Sequence, residues 1–371
     1  MRTESQQQDI WTGVRPKGRE LVGVLSALIC SLLWCSSASF AEPGGASRNA
    51  PAAAPATQAS NLPPEYTPAA LASIDKGLAW LARQQYEDGA FGRGRYYQKN
   101  AAITALACMA FMSEGSVPGR GRYAVNVERG LDFILDCSSG SGLLGDPTAG
   151  SPMYGHGFAT LLLAELRGTS PRADLDEKLH KAVQLIVATQ NAQGGWRYQP
   201  VRADADISVT ITQVMALRAA RNAGIAVPKE TVDLAIRYIR RCQRPDGGFS
   251  YMINREPSAF PRSAGAVAAL QYAGLYDTPE VRRGLEYLRQ FRPGRAEVTG
   301  HYHYGHYYAV QAMFLAGETY WNDWYPAIRD ELIARQRPDG SWTGQAGDEY
   351  GTAIALIILQ VPNRLLPIFE R

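Results

Sequence analysis

Apolar residues recur at helical spacing from residue 67 to residue 360 of this 371-residue chain. In the first such stretch Leu71, Ile74, Leu78, Leu81 and Ala82 fall on one face of a helix. That stretch ends at Gln85, and Asp88-Gly89 follows. Asp bonds its own backbone and Gly accepts positive φ, so the pair predicts a turn. The next stretch, Ala101 to Met112, is apolar on most faces and predicts a buried helix. The same alternation returns along the chain, with Phe158 to Leu166, Val209 to Ala219 and Gly351 to Leu359 as further apolar members. The amphipathic helix of each pair should sit outside and the apolar one inside. Thr67-Pro68, Ser170-Pro171 and Thr278-Pro279 each predict an outer-helix start, with a hydroxyl N-cap before Pro at the first helical position.

The alternation carries a repeat. Lys76-Gly77-Leu78-Ala79-Trp80-Leu81 leads to Gln85 and then Phe91, and close copies end in Gln190 to Trp196, Gln243 to Phe249 and Gln336 to Trp342. Arg129-Gly130-Leu131 and Arg283-Gly284-Leu285 open two degenerate copies. The anchor positions Gln85, Ser138, Gln190, Gln243, Arg292 and Gln336 are spaced by 53, 52, 53, 49 and 44 residues. A period near 50 predicts an array of equal helical-hairpin units. Neither end reads as a polar capping repeat, which favours a closed ring over an open solenoid.

The pattern Lys/Arg-Gly-x-x-aromatic-Leu, then Gln, Gly and Trp or Phe, resembles the QW motif of squalene–hopene cyclases. The resemblance covers about residues 67 to 360. It implies the (α/α)6 toroid shared with the β subunits of protein prenyltransferases: an all-α fold over residues 65–361, with a C-terminal tail at 362–371. In that family the Gln and aromatic residues tie neighbouring repeats together, so Gln85, Gln190, Gln243, Gln336, Trp196 and Trp342 are expected to be structural.

Residues 1–41 read as a signal peptide. Arg15, Lys17 and Arg19 precede an apolar run from Leu21 to Trp34, and Ser39-Phe40-Ala41 offers a small-x-small cleavage site. Export to the periplasm or outside the cell is expected, with an uncleaved membrane anchor as the alternative. Residues 42–64, rich in Ala, Pro and Ser, lack the apolar side chains to fold and predict a disordered spacer. A net charge of +3 without a dense Lys/Arg block gives nucleic-acid binding no support. Cys108, Cys137 and Cys242 follow the leader without a CxxC pair, so they do not predict a disulfide framework.

In a closed ring the loops entering the inner helices surround one mouth of a central cavity, and the polar residues there are the candidates for chemistry. Asp204 and Asp206 resemble the first two acids of the cyclase Asp-x-Asp-Asp motif, with Ile207 at the third. The resemblance implies that Asp206 protonates an alkene, with Asp204 beside it. Such an acid must be held neutral until it reacts. Asp206-Ile207-Ser208 and Gln213 also resemble the prenyltransferase zinc motif, but Ser208 stands where the thiolate should be, so no zinc or other cofactor is expected. Asp206 or Ser208 also suits an N-cap for a helix beginning near Val209.

His303 and His306, three residues apart among Tyr302, Tyr304, Tyr307 and Tyr308, offer imidazoles and aromatic faces able to stabilise a cation. His306 is the third catalytic candidate. Tyr154-Gly155-His156-Gly157 echoes Tyr304-Gly305-His306-Tyr307. Tyr154, His156, Ser208, His303, Tyr307, Asp348 and Glu349 are therefore candidate mouth residues. An apolar small molecule or lipid is the expected ligand, and a protein partner remains open. Two alternatives stand beside it: a non-catalytic binding toroid, and an (α/α)6 polysaccharide hydrolase or lyase using Asp206 with Asp348 or Glu349.

Overall fold

The alternation of amphipathic and apolar stretches becomes two concentric layers of helices. The computed structural model describes residues 63–370, except 95, 296, 297 and 299. The expected leader, and the expected spacer up to residue 62, lie outside the described residues. The outer helices are α1 (Pro68–Gln84), α3 (Ala124–Asp136), α5 (Asp174–Thr189), α7 (Lys229–Arg241), α9 (Pro279–Arg289) and α11 (Glu318–Arg335). The inner helices are α2 (Ala101–Glu114), α4 (Pro152–Leu166), α6 (Ile207–Asn222), α8 (Phe260–Tyr272), α10 (Tyr302–Ala316) and α12 (Asp348–Gln360). Each inner helix touches the next in that order, and α12 touches α2, so the ring closes. No helix among the described residues is long and apolar enough to cross a membrane.

Inner helices bury almost every side chain. From Ala101 to Ser113 only Ala102 is not buried. Outer helices bury one stripe, as in α1, where Ser73, Ile74, Gly77, Leu78 and Leu81 face inward. Gly77, Gly130 and Gly284 are the small residues that let the outer layer approach. A Cβ on Gly130 would stand 2.3 Å from the Cys108 sulfur, and one on Gly284 would stand 2.4 Å from a Val267 methyl. Cys108, Cys137 and Cys242 are free thiols, and burial pushes the Cys108 thiol up to about 12.

The Gln of each full repeat joins two units. Gln85 Nε2 donates to Gly89 O in its own turn at 3.0 Å and to Asn126 O in α3 at 2.9 Å. Gln190 does the same to Gly194 and Thr231, and Gln243 to Gly247 and Glu280. Gln336 donates to Gly340 O and to Ser73 O, both at 2.9 Å, and accepts from Ser73 Oγ at 2.8 Å. That last pair joins the final repeat to the first and forms the seam of the ring. In the fifth repeat Arg292 takes the role, donating from Nε to Asp323 O at 3.0 Å and to its carboxylate at 2.9 Å. The glycine in each full turn has positive φ, from 87° at Gly247 to 98° at Gly194, and a Cβ there would run into the backbone of the next outer helix.

Two of the three Ser/Thr-Pro starts behave differently from expectation. Thr67 caps α1, accepting from Ala70 N–H at 3.1 Å. Thr278 precedes Pro279 at the start of α9 but its side chain makes no cap bond. Ser170 lies outside a helix: its hydroxyl accepts from Arg172 N–H at 3.3 Å, and α5 begins only at Asp174. That local turn satisfies the hydroxyl and removes it from capping.

Residues beyond Gln360 form two short 3-10 turns, Val361–Asn363 and Pro367–Phe369. Leu366, Ile368 and Phe369 are buried.

Replacing Gln336 with Ala should cost about 2–3 kcal/mol, because two carbonyls and one hydroxyl lose their partner in a half-buried site. Ser138→Ala, at the same register but without a bridging carboxamide, should cost less than about 0.5 kcal/mol. Chemical denaturation of both variants checks the contrast, and equal costs would contradict it.

Candidate functional site

The ring directs all six inner-helix N-termini toward one mouth. In five of the six repeats the closing residue of the turn donates its backbone N–H to a side chain one turn into the inner helix. Phe91 donates to Thr104 Oγ1, Trp196 to Thr210 Oγ1, Phe249 to Ser263 Oγ and Trp342 to Thr352 Oγ1, at 2.8–3.1 Å. In the second repeat Leu144 donates to His156 Nδ1 at 3.1 Å. His156 Nε2 then donates to Ala182 O at 3.2 Å, which fixes the Nε2–H tautomer. Burial keeps the ring neutral, with its pKa lowered to about 4. His156 therefore stands where other repeats use a hydroxyl, and it is bound into the wall on both nitrogens.

Asp206 is the N-cap of α6, which begins at Ile207, and its Oδ1 accepts from Val209 N–H at 2.9 Å. The residue is fully buried. Its Oδ2 has no hydrogen-bond partner of normal geometry, and Arg197 Nε lies 3.9 Å away. Burial raises the carboxyl to about 6, against the opposing pull of the Val209 N–H, the Tyr251 hydroxyl and Arg197. Tyr251 and Tyr198 hydroxyls bond to each other beside it. The Tyr154 ring is 6.3 Å from that of Tyr198. Tyr154 and Tyr304 both reach Ser208, and Tyr304 Oη donates to Ser208 O at 3.5 Å. One acid, one serine and four tyrosines thus line a single patch.

The structure brings Asp206, Tyr154 and Ser208 together, and Arg197 lies by both Asp204 and Asp206. Asp204 is exposed and paired with Arg197. Asp348 is paired with Arg337, and the buried Glu349 lies 3.5 Å from Arg93. His306 is enclosed by Tyr302, Phe260 and Trp324, with ring centroids 4.4, 5.0 and 6.0 Å away. Its Nδ1 has no partner and its pKa falls to about 3, through burial first and then His303 and Arg335. His303 lies beside Tyr302 and 6.2 Å from the Tyr350 ring, with its pKa lowered to about 4. Among the described residues no three His, Cys, Asp or Glu side chains converge as metal ligands.

Tyr307 lies deeper. Its ring meets Phe158 edge-on at 6.2 Å. Phe158 belongs to α4 and Tyr307 to α10, which stand opposite each other in the ring, so the pair bridges the lumen. Tyr198, Tyr251 and Arg197 are the residues that sequence reasoning missed. The repeat register marks them: Tyr198 and Tyr251 each follow the closing aromatic, Trp196 or Phe249, by two positions.

Asp206 makes stability depend on pH with a definite sign. Its folded pKa, about 6, exceeds the unfolded value of 3.8, so the folded state holds the proton more tightly. Folding is then penalised above pH 6, and the penalty disappears as pH falls toward 4. Asp206→Asn keeps the cap and removes the buried charge. It should be more stable than wild type by about 2–3 kcal/mol at pH 8 and no more stable at pH 4. Denaturant titrations at the two pH values check this, and a pH-independent difference would contradict it.

A protein-family model described as the prenyltransferase alpha-alpha toroid domain matches residues 69–151 and 153–301. No curated protein sequence matches the chain. Among solved structures, a variant of the type II terpene cyclase MstE from Scytonema, in complex with geranylgeranyl dihydroxybenzoate, superposes with a TM-score of 0.57. It is 14% identical and covers 81% of this chain and 98% of its own. A protein from Actinoplanes gives a TM-score of 0.54 at 17% identity, covering 80% of this chain and 99% of its own. An inactive α-1,6-mannanase, GH76A of Salegentibacter, in complex with α-1,6-mannotriose, gives 0.60 at 8% identity, covering 79% of this chain and 99% of its own. At these identities the likeness is one of fold. The match over most of the closed ring gives the lineage: the chain belongs to the prenyltransferase alpha-alpha toroid domain family.

Proposed function

We propose that this chain binds an apolar, isoprenoid-like small molecule at the N-terminal mouth of its lumen, with Asp206 as the group that donates a proton there. The observation that carries the reading is Asp206 Oδ2: buried, without a hydrogen bond of normal geometry, 3.9 Å from Arg197 Nε and on a carboxyl raised to about 6, amid Tyr154, Tyr198, Tyr251 and Tyr304. A carboxylic acid near that pKa is still partly protonated around neutrality. Tyrosine faces suit an apolar chain and any positive charge that develops on it. In the reaction this allows, Oδ2 gives its proton to an alkene carbon. A neighbouring double bond closes on the resulting cation, and a C–H proton is then lost to the carboxylate or to water. The Phe158–Tyr307 bridge limits how far a chain enters from this side.

The polysaccharide reading requires a second carboxylate roughly 5–10 Å from the first. Asp348 and Glu349, the candidates for it, pair with Arg337 and Arg93, and an (α/α)6 hydrolase reading stays compatible with the fold. We read the Gln-to-aromatic segments as the QW motif, present six times, two of them degenerate. Residues 1–41 serve as an export signal, so the toroid works outside the cytoplasm. Zinc catalysis is not expected, since Ser208 stands where the zinc motif has its thiolate.

The test is incubation with a geranylgeranylated phenol, followed by chromatography and mass spectrometry. Wild type should yield an isomer of unchanged mass. Asp206→Asn should still bind the substrate while turning it over at least roughly 100-fold more slowly. Full turnover by the variant would remove Asp206 as the acid. Failure of wild type to bind any isoprenoid would remove the reading altogether.

A further inference from the structure

The end of the ring opposite Asp206 is covered by the chain's own C-terminus. After leaving α12 the segment touches four more inner helices. Asn363 Nδ2 donates to Ser113 O at the end of α2, at 2.8 Å. The Arg364 guanidinium lies 5.2 Å above the Phe314 ring of α10. Ile368 N–H donates to Glu165 Oε2 in α4 at 3.4 Å. The turn Pro367–Phe369 then packs on α6, which stands across the ring from α12. The segment therefore spans the far mouth, with Leu366, Ile368 and Phe369 turned into apolar surroundings while Leu365 stays 49% exposed.

Arg364, at positive φ (54°), sets the turn that sends the chain back across the ring. Below the three apolar side chains lies an acid that the proposed chemistry does not use. Glu165 is buried, and burial first, with Glu370 adding to it, raises its carboxyl to about 8. Tyr272 of α8 and Tyr307 of α10 also feel its charge. A neutral carboxyl can bond a chain N–H, as it bonds Ile368, or the polar end of a small molecule.

We infer that residues 364–370 form a displaceable stopper, and that the space filled by Leu366, Ile368 and Phe369 is a second binding site for an apolar chain entering from the far mouth with its polar end at Glu165. The three side chains state the chemistry of the occupant, since whatever replaces them must be apolar and of similar bulk. Displacement is feasible because ordering the segment costs backbone entropy at every residue, which offsets much of the gain from three buried side chains. No strand or helix of the ring depends on the segment for its own backbone hydrogen bonds among the described residues. The site lies beyond the Phe158–Tyr307 bridge from Asp206, so it stands or falls apart from the chemistry proposed at the other mouth.

The test is a chain ending at Asn363, probed with dansyl-labelled farnesol. Circular dichroism reports whether the shortened chain is folded. The folded truncation should bind the probe at least tenfold more tightly than the full chain, and a synthetic peptide of residues 361–371 should displace it. No gain in binding, or a gain that the peptide does not reverse, overturns the inference. Should the truncation fail to fold, hydrogen exchange on the full chain decides. Amides of residues 366–370 exchanging well before those of the inner helices support a displaceable stopper, and exchange together with the inner helices overturns it.

Discussion

A glutamine carboxamide has two N–H donors on one nitrogen, and this fold spends both on backbone carbonyls of different repeats. One carbonyl is the glycine four residues on. The other is in the first or second turn of the next outer helix, where Gln85 meets Asn126, Gln190 meets Thr231 and Gln243 meets Glu280. The distance between successive units is thus fixed by a short, planar group with little freedom once both bonds form. Four of the six joints, at Gln85, Gln190, Gln243 and Gln336, share this geometry, and the last of them brings the final repeat to Ser73 of the first. The positive-φ glycines are a condition for these joints, since a side chain there would push the next outer helix away.

Closure decides where chemistry can occur. Six inner helices run in the same sense, so their N-termini and capping side chains gather at one mouth. Asn100 caps α2 through the N–H groups of Ala102 and Ile103, and the hydroxyl series holds the closing aromatics. Asp206 differs because only one of its two oxygens is used in capping. The same residue type that starts a helix leaves a second oxygen facing tyrosines in a dry setting. Burial then does to its proton affinity what a neighbouring charge would do elsewhere.

The fold was legible in the sequence because helix periodicity and the Gln-to-aromatic spacing are local signals repeated several times, so errors in one copy are corrected by the others. Asp206 was legible for the same reason, as a cap at a defined point in the register. Asp348 and Glu349 occupy the comparable register, yet Arg337 and Arg93 lie far enough from them in sequence, or in another repeat, that no motif marks the pairing. His156 and His306 share a sequence context but differ in surroundings, one bonded on both nitrogens and the other enclosed by rings. Ser170 shows the local limit: a Ser-Pro pair suits a helix start or a turn equally, and the winner is set by where the outer helix must begin to reach its neighbour.

The seam between Ser73 and Gln336 also carries a consequence for biosynthesis. Helix α1 rests on α11 and α12, the last to be made. An emerging polypeptide therefore exposes the apolar flank of its opening hairpin until some 260 further residues have left the ribosome. Growth from the N-terminus cannot be completed piecewise, and the annulus must wait for its two ends to meet before either is secure.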